Sequence, residues 1–250
     1  MKRSGSDFVI TTLIMLSLLG PFAPSAFADT FVVYGASGNV GSVIVDEALS
    51  RGHAVVGVSR NPERLQIENT HFSAARGDVT DPDSIVATVQ GADAVIIAVG
   101  GVGPGNTPEE AVAFRGAKAY IEAASRLGDA IPYVLQVGSG TTLNTNGVRV
   151  LATLDIEPGT PRYALFQGHW LALEAYRHST GFDWTVMSAA YGSITGTGEH
   201  TGSYRLGDQE TLFDRNGSSL LSREDYAIAV IDMAESHTVT GKRVAVGPAY

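Results

Sequence analysis

Seven consecutive residues, Gly35-Ala36-Ser37-Gly38-Asn39-Val40-Gly41, put a glycine at every third position. Each glycine has a use. Gly35 permits a tight turn, Gly38 lets backbone amides come close to an anion, and Gly41 lets a following helix pack closely on the strand before it. A helix opening at this point presents free N–H groups and the positive end of its dipole, a setting that suits a diphosphate. Ser37, Asn39 and Val40 are the other residues that such a loop would bring to the phosphates. The spacing is G-x-x-G-x-x-G rather than G-x-G-x-x-G, and an ordinary strand–helix turn is the plainer reading of the same glycines.

A second group follows at residues 58–62, Val-Ser-Arg-Asn-Pro. A site preferring NAD usually carries a carboxylate after its second strand, to bond the ribose hydroxyls. Here Arg60 stands at that place, with Ser59 beside it and Arg64 one helical turn on. A guanidinium suits a ribose 2′-phosphate through charge-assisted, often bidentate bonds. The expected cofactor is therefore NADP(H), with NAD(H) as the alternative, and a solvated surface arginine is the plain counterpart. Asp78 and Val79 are placed to flank the adenine. Val99 and Gly100, ending the fourth strand, are placed beside the ribose and nicotinamide.

Other chemistries lack their residues. Alcohol oxidation by the usual short-chain route needs a Tyr-x-x-x-Lys pair, in which Lys lowers the Tyr pKa. Lys118 is preceded four residues earlier by Phe114 and Lys242 by Thr238, while Tyr163 has Gln167 at the Lys position. Ser139 has Val137 two residues before it, so no G-x-S-x-G elbow exists. The six His have no H-E-x-x-H or clustered spacing and there is no Cys, so no metal, disulfide or thiolate chemistry is expected. His169, in a segment with Trp170, Leu171 and Leu173, reads as a packing residue.

The elements that must position these groups alternate. Strands are expected at Thr30–Tyr34, Ala54–Ser59, Phe72–Arg76, Ala94–Val99, Tyr133–Val137, Trp184–Met187 and Arg243–Val246. Helices are expected at Val40–Arg51, Asp83–Val89, Glu109–Leu127, Leu165–His178 and, capped by Ser222, Arg223–Glu235. Such alternation implies a parallel sheet covered on both faces. Residues 188–221, rich in Gly, Ser and Thr, are expected to form a small substrate-side lobe rather than an independent domain.

The N-terminus reads as an export signal. Lys2 and Arg3 precede a short apolar run from Val9 to Leu19, and Ala26-Phe27-Ala28 fits the small-x-small cleavage rule. The run is too short for a comfortable membrane span. Cleavage after Ala28 would leave one domain, residues 29–250, with 15 basic and 25 acidic side chains. So acidic a chain has no electrostatic reason to seek nucleic acid or anionic lipid.

GASGNVG, SRNP, GDVTDPDS, TGSYRLG, SREDYAIAVIDM and GKRVAVG together resemble the atypical short-chain dehydrogenase/reductases of the NmrA-like NAD(P)H-binding group. Within it, the likeness is to the branch of NADH-flavin reductases and biliverdin reductase B. The resemblance covers residues 30–250 and implies a Rossmann-like doubly wound parallel sheet with a small C-terminal substrate lobe. It implies hydride transfer to a flavin, quinone or similar conjugated small molecule, or else a non-catalytic NADP(H) sensor, as some of the group are. By position, Ser139 would lie beside nicotinamide and substrate, and Met187 to Tyr191 would form the opposite wall. The group often has Pro in that wall, where this chain has Ala190-Tyr191. Ser139, Tyr191 and Tyr163 are the catalytic candidates. Members of the group begin near Asp29, so the export signal stands in front of a cytoplasmic-type domain. The oligomeric state is not legible.

Overall fold

The computed structural model describes residues 28–194 and 198–250. The expected export signal, residues 1–28, lies outside the described residues except for Ala28.

Strand β1 (Thr30–Tyr34) carries apolar side chains on both faces. Phe31 and Val33 enter one core, Val32 and Tyr34 the other. Because successive side chains point to opposite faces, such a run is stable only between two helical layers. Strand β4 (Ala94–Ile97) repeats the pattern, with Ala94 and Ile96 in the first core and Val95 and Ile97 in the second.

Helix α1 (Gly41–Ser50) follows β1 and packs Ile44, Val45 and Ala48 into the first core. Strands β2 (Ala54–Ser59) and β3 (Phe72–Arg76) come next. Helix α2 (Pro82–Thr88) covers the second face and is capped by Asp81, which accepts from Asp83 N–H at 3.0 Å. After β4, α3 (Val112–Leu127) packs Ala117, Tyr120 and Ala123 on the second face. Strand β5 (Tyr133–Val137) leads to a small hairpin, β6 (Asn144–Thr145) and β7 (Val148–Arg149), and a one-turn helix, α4 (Val150–Thr153). Then come α5 (Pro161–Arg177), β8 (Trp184–Ala189), β9 (Tyr204–Gly207), α6 (Arg223–Ser236) and β10 (Lys242–Pro248).

The strands form one eight-stranded sheet in the order β3-β2-β1-β4-β5-β8-β10-β9, parallel except for β9. Strand order reverses between β1 and β4. In open α/β sheets this reversal opens a crevice at the carboxyl ends of the strands, where ligands bind.

Several expected boundaries shift for local reasons. Strand β4 stops at Ile97; the Ala98 N–H still donates to the Tyr34 carbonyl at 2.9 Å, and Val99 and Gly100 lie beyond the ladder. Helix α3 begins at Val112 rather than Glu109. Pro108–Glu110 form a separate 3₁₀ turn, and Ala111 is extended at φ −60 and ψ 130. Gly168 of α5 lies directly on that break: a β-carbon there would meet Ala111 Cβ at 2.0 Å. Helix α5 starts at Pro161, earlier than expected, with the Thr160 hydroxyl accepting from Tyr163 N–H. Pro at the first helical position loses no hydrogen bond. Ser222 caps α6, accepting from Asp225 N–H at 2.9 Å. The Gly/Ser/Thr-rich segment is joined to the main sheet by its strand β9, which pairs antiparallel with β10.

Candidate functional site

The glycine loop is locked by contacts that only glycine allows. Gly35 has φ +81, and a β-carbon on it would stand 2.3 Å from the Ala98 carbonyl oxygen. A β-carbon on Gly41 would stand 2.1 Å from the Gly35 carbonyl oxygen. The loop is closed by Gly38 N–H donating to the Gly35 carbonyl at 2.8 Å. Helix α1 starts immediately after, and no side chain caps it. Ser42 N–H donates to the Gly38 carbonyl at 2.9 Å, so the amides of Gly41 and Val43 are the ones open to a ligand, with the helix dipole behind them.

Two hollows meet at this loop, sharing Gly38, Ala98, Val99 and Gly100. The first, about 340 Å³, runs from Gly35, Ser37 and Gly38 to Ser59, Arg60, Asp78 and Val79. The second, about 500 Å³, runs from Asn39 and Val40 to Ser139, Phe166, His169, Ala190 and Tyr191. Together they cross the carboxyl ends of β2, β1, β4, β5 and β8, the crevice that the strand order creates.

Charge in the first hollow centres on Asp78. Its burial raises the carboxyl pKa. The Thr80 N–H and hydroxyl, both at 2.8 Å, and the charges of Arg60 and Arg115 outweigh that and hold it below the usual carboxylate range. Asp78 is therefore an anion throughout the neutral range. Arg60 is exposed at the rim and makes no ion pair among the described residues. Arg115, from α3, lines the same hollow and donates to the Thr80 hydroxyl at 3.3 Å. Two guanidinium groups, only one of them legible in sequence, thus stand at this end of the hollow. Arg64 does not line it; it closes the 3₁₀ turn Pro62–Arg64 that leads the chain away from β2.

The second hollow has aromatic and small apolar walls. Phe166 and Tyr191 meet edge to face at 5.7 Å, and the Arg162 guanidinium donates to the Tyr191 hydroxyl. Ser139 Oγ accepts from Thr141 N–H at 3.3 Å and pairs with Thr141 Oγ1 at 2.8 Å, so it caps the turn after β5. Tyr163 lines neither hollow. His169 lines the second hollow. Its Nδ1 is buried without a hydrogen-bond partner, and burial lowers the imidazole pKa to about 4. The residue stands three residues after Phe166, on the same face of α5, and the packing of that helix on the sheet brings both to the hollow.

An open parallel sheet with a glycine loop at its switch point and an uncapped helix behind the loop is a Rossmann-type dinucleotide-binding protein. The sequence matches the model of the NAD(P)H-binding family over residues 35–237, and the chain belongs to that family. Three solved structures are similar along nearly their whole length. A proposed epimerase from Bacteroides thetaiotaomicron is 30% identical, with a TM-score of 0.76, covering 89% of this chain and 98% of that one. An exported protein, so proposed, from Burkholderia pseudomallei is 29% identical, with a TM-score of 0.70, covering 88% and 99%. A proposed NADH-flavin reductase from Streptococcus pneumoniae TIGR4 is 25% identical, with a TM-score of 0.70, covering 89% and 100%.

The donor set fits the family's nicotinamide cofactor. The Gly41 and Val43 amides at the start of α1 suit its diphosphate, and Gly35 and Gly41 allow the close backbone approach that sets the loop beside them. Among the described residues no group of three His, Cys, Asp or Glu could hold a metal, and no helix is long and apolar enough to cross a membrane.

Proposed function

We propose that this chain is an oxidoreductase that prefers NADPH and passes hydride to a flavin, quinone or similar conjugated acceptor. The observation that carries the reading is the continuity of two unlike hollows through Ala98–Gly100. One has arginines and amides for a phosphorylated dinucleotide. The other has aromatic walls for a flat apolar ring. The NADH-flavin reductase similarity supports the same acceptor class.

When bound, a reduced nicotinamide supplies the hydride. The protein's part is placement. Gly35 to Gly41 and the α1 amides hold the diphosphate, and Arg60 with Arg115 hold the 2′-phosphate. Asp78 and Val79 flank the adenine. Phe166, Ala190 and Tyr191 shape the acceptor's bed. Placement of this kind can replace much of the entropic barrier of a bimolecular step. No Tyr/Lys proton relay is required, and Tyr163 stands outside the hollows.

The missing relay equally favours a second reading, a dinucleotide-binding module without turnover. NADPH oxidation measured against a panel of flavins and quinones separates the two. Turnover supports the reductase; tight NADPH binding with no turnover on any acceptor supports the module.

We also propose export with cleavage after Ala28, leaving residues 29–250 as the working domain. The signal-like N-terminus and the similarity to an exported protein support this. Mass spectrometry of the native protein tests it: a chain starting at Asp29 is expected, and an intact Met1 on soluble cytoplasmic protein overturns it.

A further inference from the structure

Five polar side chains line the second hollow: Asn39, Ser139, His169, Tyr191 and Ser193. Two are already committed: Ser139 Oγ caps its own turn, and the Ser193 hydroxyl donates to the Ser219 carbonyl at 2.6 Å. The Tyr191 hydroxyl is held at the wall by accepting from Arg162 and keeps its own O–H. Asn39 is exposed on the glycine loop, at the diphosphate end. His169 has neither ring nitrogen in a hydrogen bond among the described residues, and of the two only Nδ1 is sealed from solvent, so Nε2 is the nitrogen open to the hollow that the residue lines.

We propose that His169, as a neutral imidazole, donates a hydrogen bond to a ring carbonyl oxygen of the acceptor, which makes the acceptor a flat cyclic ketone of quinone or isoalloxazine type. This rests on the oxidoreductase reading above. The ring is kept neutral by its apolar surroundings, with Nδ1 sealed. The tautomer that leaves no buried N–H orphaned carries its hydrogen on Nε2, and that N–H is the donor.

The balance is simple. The C–H bond at C4 of the reduced nicotinamide breaks, and its hydrogen leaves with both electrons to form a new bond on the acceptor. The acceptor's π system is reduced, the nicotinamide is oxidised, and negative charge collects on the ring carbonyl oxygen. The His169 N–H stabilises that oxygen without giving up its proton. Water supplies the proton that completes the dihydro product. A donor aimed at the oxygen where charge develops acts more strongly in the transition state than in the ground state.

The test compares wild type with His169→Gln, which keeps an N–H donor, and His169→Phe, which keeps a flat ring without one. The probes are menadione and its carbonyl-free counterpart, 2-methylnaphthalene, bound to cofactor-free protein and followed by tryptophan fluorescence. Wild type is expected to favour menadione. The phenylalanine variant should lose that preference about three- to tenfold, the range of one neutral hydrogen bond, and the glutamine variant should keep most of it. NADPH affinity and melting temperature, measured beside these, show whether each variant is folded. Equal menadione preference in wild type and the phenylalanine variant overturns the proposal. So does a folded glutamine variant that behaves like phenylalanine, because packing alone would then explain the site. These outcomes are distinct from failure of the oxidoreductase reading, which shows as absence of NADPH oxidation with every acceptor.

Discussion

Gly41 rests against the carbonyl of Gly35 so closely that a β-carbon would stand 2.1 Å from the oxygen. Real side chains do not approach carbonyls at that distance, so the start of α1 and the end of β1 are fitted to one another through two glycines. The direction of the first helical amides is set by this contact.

Gly41→Ala should therefore strain both fold and site. Overpacking of this kind costs about 1–3 kcal/mol, and thermal melting should show a loss in that range together with weakened NADPH binding. Gly100→Ala is the contrasting case. Its β-carbon would meet nothing within 4 Å, though the residue lines both hollows. Its melting temperature should stay near that of wild type while its ligand affinities change.

Arg60 should decide cofactor choice. A hydrogen bond to a charged group is worth roughly 1.5–3 kcal/mol, on the order of 10- to 100-fold in affinity. NADPH should bind tighter than NADH, with the gap narrowing at high salt. Arg60→Glu should remove most of the preference and leave NADH much less affected. Arg115 shares the hollow, so Arg60→Ala alone should lose only part. Titration of both cofactors checks this, and equal affinities in wild type would mean that Arg60 serves only solvent.

Much of this site was legible because it is local. The apolar run of β1, the three glycines, the helix spacing of α1 and the Ser-Arg after β2 lie within one short stretch of chain, and each fixes its neighbour's geometry. Arg115 and His169 were not legible in the same way. Their places depend on how α3 and α5 settle on the sheet, through contacts such as Gly168 on Ala111, which bring together residues distant in sequence. Strand β9 was missed for a similar reason. Tyr204–Gly207 is half-exposed, lacks a buried alternation, and is a strand only because β10 offers it an edge.

Tyr163 provides a negative prediction. It lines neither hollow, and no lysine stands four residues on. Tyr163→Phe should leave acceptor reduction within a few-fold of wild type. General acid–base catalysis contributes about 10²–10⁴-fold, so a loss of that size in kcat would bring the chain back toward the carbonyl reductases.

The central claim is direct hydride transfer between the two hollows. It is tested most directly by a single turnover with NADPH carrying deuterium at the transferred C4 position, mixed without oxygen with excess flavin or quinone. The account predicts that nicotinamide absorbance decays in one phase, measurably slower with deuterium than with hydrogen, and that the isotope leaves the nicotinamide. NADPH that binds tightly, yet keeps its absorbance with every flavin and quinone offered, would contradict it.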